Sequence, residues 1–193
     1  MKPFRTLIIV ISVSLAMASC STTRNTSIVP FTDDVYYTQI NMWAYKGNVD
    51  TLNYSIEVKI PVNTPVRISY VDTYYISFDT EDGSGPSYRV VKNYKYTRLL
   101  MQEVFYRYFN LSKVDLSRFP DVDQDFIKWF DGYYHPGVSK EAVIIGRGYP
   151  PEHRTPSLDG NTWIYWRNRW KSKSLEFVDG KTVNLNGSSI QPR

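Results

Sequence analysis

The chain has 193 residues, 42% of them apolar and 22% charged, with five Trp, sixteen Tyr and nine Phe. This excludes a disordered or collagen-like chain, and a protein of this length buries roughly 70% of its unfolded surface, enough for a core without disulfide or metal staples. One Cys, two His and a net charge of +4 leave little material for thiol, imidazole or transition-metal chemistry.

At the N-terminus, Lys2 and Arg5 precede an apolar run from Leu7 to Met17 broken only by Ser12 and Ser14, and the run ends in Ala18-Ser19-Cys20. These are the charged, apolar and small-residue regions of a secretory signal over residues 1–19. The run is little more than half of the ~20 residues that a spanning helix needs. Met17-Ala18-Ser19-Cys20 resembles a bacterial lipobox, with Met17 in place of the usual Leu. The resemblance implies a diacylglycerol on the Cys20 thiol, cleavage after Ser19 and acylation of the new amino terminus. Each buried methylene adds about 0.8 kcal/mol, so three chains anchor firmly. Ser21, where Asp would signal inner-membrane retention, implies attachment to the outer membrane, facing the periplasm. Losing Lys2 and Arg5 with the signal leaves 21 basic against 19 acidic residues, a net charge of +2. The basic balance is then no argument for a nucleic-acid partner, and export removes that partner.

Residues 20–33 read as a polar tether. In 34–95, short runs rich in Val, Ile, Tyr and Thr predict five strands: Tyr36 to Tyr45, Tyr54 to Ile60, Val66 to Val71, Tyr75 to Phe78 and Tyr88 to Val91. Turn residues split them, which predicts a small antiparallel barrel or curved sheet. Ile60-Pro61-Val62-Asn63-Thr64-Pro65-Val66-Arg67-Ile68 resembles the turn element of SH3-like barrels of the bacterial envelope, with Asn63 at a Gly position. Asn is the next residue best able to take a positive φ there.

Residues 96–115 predict a linking helix over Thr97 to Phe109, in which Leu100, Val104 and Tyr108, and Met101, Phe105 and Phe109, form one apolar face. The segment 116–186 predicts two short helices and three strands. Phe119, Val122, Phe126 and Phe130 recur at helical spacing, with Pro120 and three Asp at the helix start. Ser139 caps a helix through Ile145 that ends at Gly146. Strands follow at Thr162 to Arg167, Ser174 to Val178 and Thr182 to Leu185, the last two joined by the hairpin turn Asp179-Gly180. Residues 187–193 form a tail.

Val138-Ser139-Lys140-Glu141-Ala142-Val143, Gly148-Tyr149-Pro150-Pro151, Trp163-Ile164-Tyr165-Trp166, Phe177 and Gly180-Lys181-Thr182-Val183 together resemble the SmpA/OmlA family of small outer-membrane lipoproteins over roughly residues 117 to 186. The chain departs from that family at Ile145 to Pro151, where a longer aromatic turn replaces a short Leu-Gly-x-Pro. The fold expected is thus α+β: an SH3-like antiparallel β segment, a linking helix, and an ααβββ segment with a three-stranded antiparallel sheet.

Asp121-Val122-Asp123-Gln124-Asp125 imitates the opening of a calcium loop, but Phe126 and Gly132 stand where Gly and Glu are required, so no metal is expected there. His135 and His153 lack a third ligand at metal spacing and read as turn residues. No Ser lies in a Gly-x-Ser-x-Gly elbow, and Gly146-Arg147-Gly148 does not open a helix after a strand. Glu81, Asp82, Glu141, Glu152 and Asp159 are the carboxylates from which a hydrolase would have to be assembled.

The candidate partner-binding residues are Tyr149, Pro150, Pro151, His153, Trp163, Tyr165, Trp166, Arg167 and Arg169. Trp163, Tyr165 and Arg167 alternate onto one strand face, and Ile164, Trp166 and Asn168 onto the other. One face packs on the helices and the other is free to face water; alternation does not say which. Tyr, Trp and Arg are enriched in binding hot spots. The expectation is a non-catalytic interaction or scaffold lipoprotein of the outer membrane with an envelope protein as partner and no cofactor. The alternative is a module that binds cell-wall glycan or peptide, with peptidoglycan as the partner.

Overall fold

The computed structural model describes residues 29, 31–130, 132–168 and 170–183. The signal segment, Cys20, Arg169 and the tail lie outside them. The described residues are mixed α+β, with three α-helices and mostly antiparallel sheets. Among the described residues no helix is long and apolar enough to cross a membrane.

Seven strands come first: β1 (Val35–Thr38), β2 (Met42–Ala44), β3 (Asn48–Asp50), β4 (Val58–Ile60), β5 (Pro65–Val71), β6 (Tyr75–Thr80) and β7 (Tyr88–Val91). Then follow α1 (Met101–Tyr108) and β8 (Phe109–Asn110). Six of these strands form one sheet in the order β3-β7-β6-β5-β1-β8, while β2 and β4 pair separately. The expected single strand from Tyr36 to Tyr45 is therefore broken. Its middle residue, Asn41, spends its backbone N–H on the Ile145 carbonyl at 2.8 Å, and the chain leaves the sheet there. The pair β3–β7 is parallel, which corrects the expectation of a wholly antiparallel segment. At Asn63 the backbone does take φ 64°, as the turn requires.

The inward residues of β5, β6 and β7 (Val66, Ile68, Val71, Ile76, Phe78, Tyr88 and Val90) are buried against Met101, Val104, Phe105 and Tyr108 of α1. A bulge between Ile68 and Tyr70 shifts the alternation of β5 so that Val71 still points inward. α1 is shorter than the expected helix. Thr97 closes a turn onto the Asn93 carbonyl, Leu100 is the exposed N-cap, and the Glu103 carboxylate accepts from the Leu100 N–H at 2.6 Å. The segment 96–115 thus adds its helix and β8 to the first core.

The second core holds α2 (Asp121–Trp129), α3 (Lys140–Arg147) and the sheet β9 (Thr162–Asn168), β10 (Lys171–Val178) and β11 (Lys181–Thr182). The Ser139 hydroxyl caps α3 by accepting from the Ala142 N–H at 3.2 Å. Asp179 and Gly180 both have positive φ in the β10–β11 hairpin. Asp123, from the sequence that imitates a calcium loop, is buried and accepts from the Ser139 N–H at 2.8 Å, so it ties the two helices together.

Gly146 does not end α3 as the sequence suggested; the helix runs on to Arg147 and stops at Gly148, φ 91°. The reason is packing. A Cβ on Gly146 would lie 2.8 Å from the Phe126 ring and 3.1 Å from the Ile127 Cα, because this is where α3 crosses α2. In an exposed helix Gly→Ala is stabilising by about 1 kcal/mol. Here the sign reverses: Gly146→Ala is expected to destabilise the protein by about 1–3 kcal/mol through overpacking, read as a lowered urea midpoint. A raised midpoint would show that the two helices have room to separate.

Candidate binding site

Arg147 joins the two cores. Its residue is 2% exposed, and its guanidinium donates to the carbonyls of Asn53 and of Trp166, the latter at 2.8 Å. Three rings surround the charge: Tyr165 at 5.2 Å, Trp43 at 5.4 Å and Phe130 at 5.9 Å. Among the described residues it has no ion pair with a carboxylate. A buried cation without an acid is tolerable only when carbonyl dipoles and aromatic faces replace water, and the weakly hydrated guanidinium suits that exchange. Burial pushes the Tyr134 phenol up and that of Tyr165 well up, with the nearby Arg147 pulling against it in both.

Two buried asparagines complete the junction. The Asn41 amide donates to the carbonyls of Ile127 at 2.7 Å and Gly146 at 2.9 Å, and its oxygen accepts from the Val62 N–H at 2.9 Å. Asn53 donates to the Asn41 carbonyl at 3.0 Å and the Arg147 carbonyl at 2.9 Å. The Tyr165 hydroxyl then donates to the Gly148 carbonyl at 2.9 Å, which fixes the point where the chain leaves α3.

From that point residues 149–158 run across the seam. The Arg107 guanidinium lies 4.5 Å from the Tyr149 ring centre, and the Thr155 hydroxyl takes the Ile164 N–H at 2.9 Å, covering the edge of β9. His153 is held between two rings, stacked on Tyr96 at 4.4 Å and facing Trp166 at 6.0 Å. The Trp166 indole N–H donates to its Nε2 at 3.2 Å. An indole nitrogen only donates, so His153 is neutral at Nε2. Burial is the main cause that pushes its pKa below the ordinary 6.5; a hydrogen bond with the Tyr96 backbone opposes this, and Arg154 adds to it.

Beside this stack opens a cleft of about 450 Å³, with Tyr96, Arg98 and Arg107 from the first half of the chain and Pro150, Glu152 and His153 from the second. Glu152 is engaged by Arg107 at 3.5 Å and by the Arg98 N–H at 3.3 Å.

The residues expected to bind a partner divide. Trp163 and Tyr165, 1% and 2% exposed, belong to the second core, and Pro150 and Pro151 are buried as well. Trp163, Tyr165 and Pro151 are therefore corrected from contact residues to structural ones, whereas Pro150, though buried, still lines the cleft. The Trp163 face of β9 is the one that meets the helices, where Trp163 packs on Phe177 at 4.6 Å. Tyr149 and Trp166 are half-buried, Tyr149 beneath Arg107, and His153 and Arg167 are exposed. Arg169 lies outside the described residues.

Lys95, Tyr96, Arg98 and Arg107 escaped the sequence reading because nothing in their spacing distinguishes them from a solvated turn and helix face. Of the five carboxylates considered for hydrolysis, three are each engaged by an arginine: Glu81 by Arg67, Glu141 by Arg118 and Glu152 by Arg107. Among the described residues no cluster of His, Cys, Asp and Glu is suited to a metal. Comparison with protein-family models, curated proteins and solved structures finds no match for the chain.

Protonating His153 would place a hydrogen on Nε2 and break the Trp166 bond. The fold prefers the neutral form, so this contribution to stability is complete above 6.5 and is lost as the pH falls through the lower, folded-state pKa. Wild-type protein should therefore lose more stability than His153→Gln between about pH 7.5 and about pH 5. Equal slopes in urea titrations of the two proteins would remove His153 as the cause.

Proposed function

We propose that this chain is a non-catalytic cell-envelope lipoprotein, held at the outer membrane through a lipid on Cys20, that acts by binding a partner in the cleft at the seam of its two cores. The observation that carries this reading is the convergence of Tyr96, Arg98 and Arg107 with Pro150 and His153 on one concave surface. Pockets of roughly 300–1,000 Å³ with an apolar lining and a few directed polar groups are the usual form of small-ligand and peptide sites. The carboxylate in the cleft is already neutralised by Arg107, and His153 has its Nε2 committed to Trp166, so neither is poised for acid–base work.

The resemblances noted in the sequence enter at the same level. The turn at Asn63 supports an SH3-like reading of the first half, and the order α2, α3, β9, β10, β11 supports an SmpA/OmlA-like reading of the second. The alternative reading, a module for cell-wall glycan or peptide, is favoured by the small-ligand size of the cleft.

Two measurements test the proposal. Cys20→Ser should release the protein from the membrane fraction; unchanged attachment would remove the lipid anchor. A photocrosslinker at Arg154, beside the cleft, should capture a defined partner in the native envelope, and capture should fall with Tyr96→Ala. Equal capture from a crosslinker at Ser84, in the exposed turn at the far end of β6, would overturn the cleft as the recognition site.

A further inference from the structure

Resting on the reading of the seam cleft as the recognition site, we infer that its ligand is an acidic peptide, a short extended segment whose carboxylate is received by Arg98 and Lys95. The charge of the cleft is unbalanced. Lys95, Arg98 and Arg107 line it against a single acid, Glu152, and Arg107 already pairs with that acid. The ion pairs of the described residues are Arg67–Glu81, Arg107–Glu152 and Arg118–Glu141, so the Arg98 guanidinium and the Lys95 ammonium are left without an acid. Lys95 rests instead over the Tyr96 ring at 5.1 Å. A guanidinium presents a planar fork of donors that matches a carboxylate, and such charge-assisted bonds are the strong ones.

The rest of the lining selects the body that carries the anion. Pro150, Pro156 and Leu158 are apolar, and the two prolines are stiff, a surface for aliphatic or prolyl side chains that loses little entropy on binding. A glycan would bring many hydroxyl donors, and the side-chain acceptors of the cleft are already engaged. Glu152 is occupied, the Thr155 hydroxyl holds the Ile164 N–H, and the His153 Nε2 takes the Trp166 indole. A phosphate ion would use the cations and leave the apolar wall empty.

The test is calorimetric titration of the full chain in detergent with a pool of acetylated, amidated tetrapeptides containing two Glu and otherwise apolar residues. The same pool with Gln, inorganic phosphate and an N-acetylglucosamine disaccharide are the comparison probes. The Glu pool should bind at least about tenfold more tightly than the Gln pool, and Arg98→Gln should remove roughly that factor, the size of one charge-assisted hydrogen bond. Lys95→Gln should act in the same direction. Both residues are exposed, so the variants fold. Equal binding of the two pools, no binding of the Glu pool, or tighter binding of phosphate or of the disaccharide would each overturn the acidic-peptide assignment. Those results leave the cleft itself standing if Tyr96→Ala still lowers capture by the crosslinker at Arg154. Loss of that dependence overturns the underlying reading instead.

Discussion

A buried cation holds the two halves of this protein in register. Arg147 stands at the end of α3 and reaches the carbonyl of Asn53 on one side and that of Trp166 on the other, inside a cage of Trp43, Phe130 and Tyr165. Its position in the last turn of α3 also sets the charge against the negative end of the helix. Losing the side chain would strand two buried carbonyls and leave a cavity between aromatic rings, and each of those effects costs about 1–3 kcal/mol or more. A Lys could not replace it, because an ammonium is a compact charge rather than a fork able to span two carbonyls.

The seam explains why the cores are entangled rather than stacked as separate domains. β2 is split from β1 by Asn41, whose amide serves α2 and α3, and this delivers Trp43 into the second core against Phe130. In return Ile144 and Tyr149 pack on the first core. The close passage of Gly148 by Asn53 and of Gly146 by Phe126 leaves no space for a Cβ at either position. The loop that begins at Gly148 therefore starts from a rigid point. Its direction brings His153 onto Tyr96, a residue that lies 57 positions earlier in the chain.

The local chemistry of the elements was legible before the structure. Ser139 as a cap, Asp179-Gly180 as a hairpin, Asn63 at positive φ and the inward face of α1 at Met101, Val104, Phe105 and Tyr108 all depend on neighbours within a few residues. The elements that failed have distant partners. The parallel strand β3 is three residues long and exists because β7 offers it an edge. Gly146 looked like a helix end because glycine usually is one, and only the crossing with α2 gives it another role.

The candidate site divides along the same line. From the sequence alone came the lipobox-like N-terminus, the α+β class and the choice of the aromatic segment from Tyr149 onward as the place to look for a surface. Alternation along β9 separated Trp163 and Tyr165 from Ile164 and Trp166, but it could not say which pair faced inward, since both sets are apolar and aromatic. The tertiary structure decided that by laying α2 and α3 on the Trp163 face, and it moved the surface of interest to Tyr96, Arg98 and His153. Periodicity records which residues share a face of one element. Which face is covered, and which remote side chains arrive beside it, depends on contacts between elements far apart in the chain, and those leave no mark on local spacing.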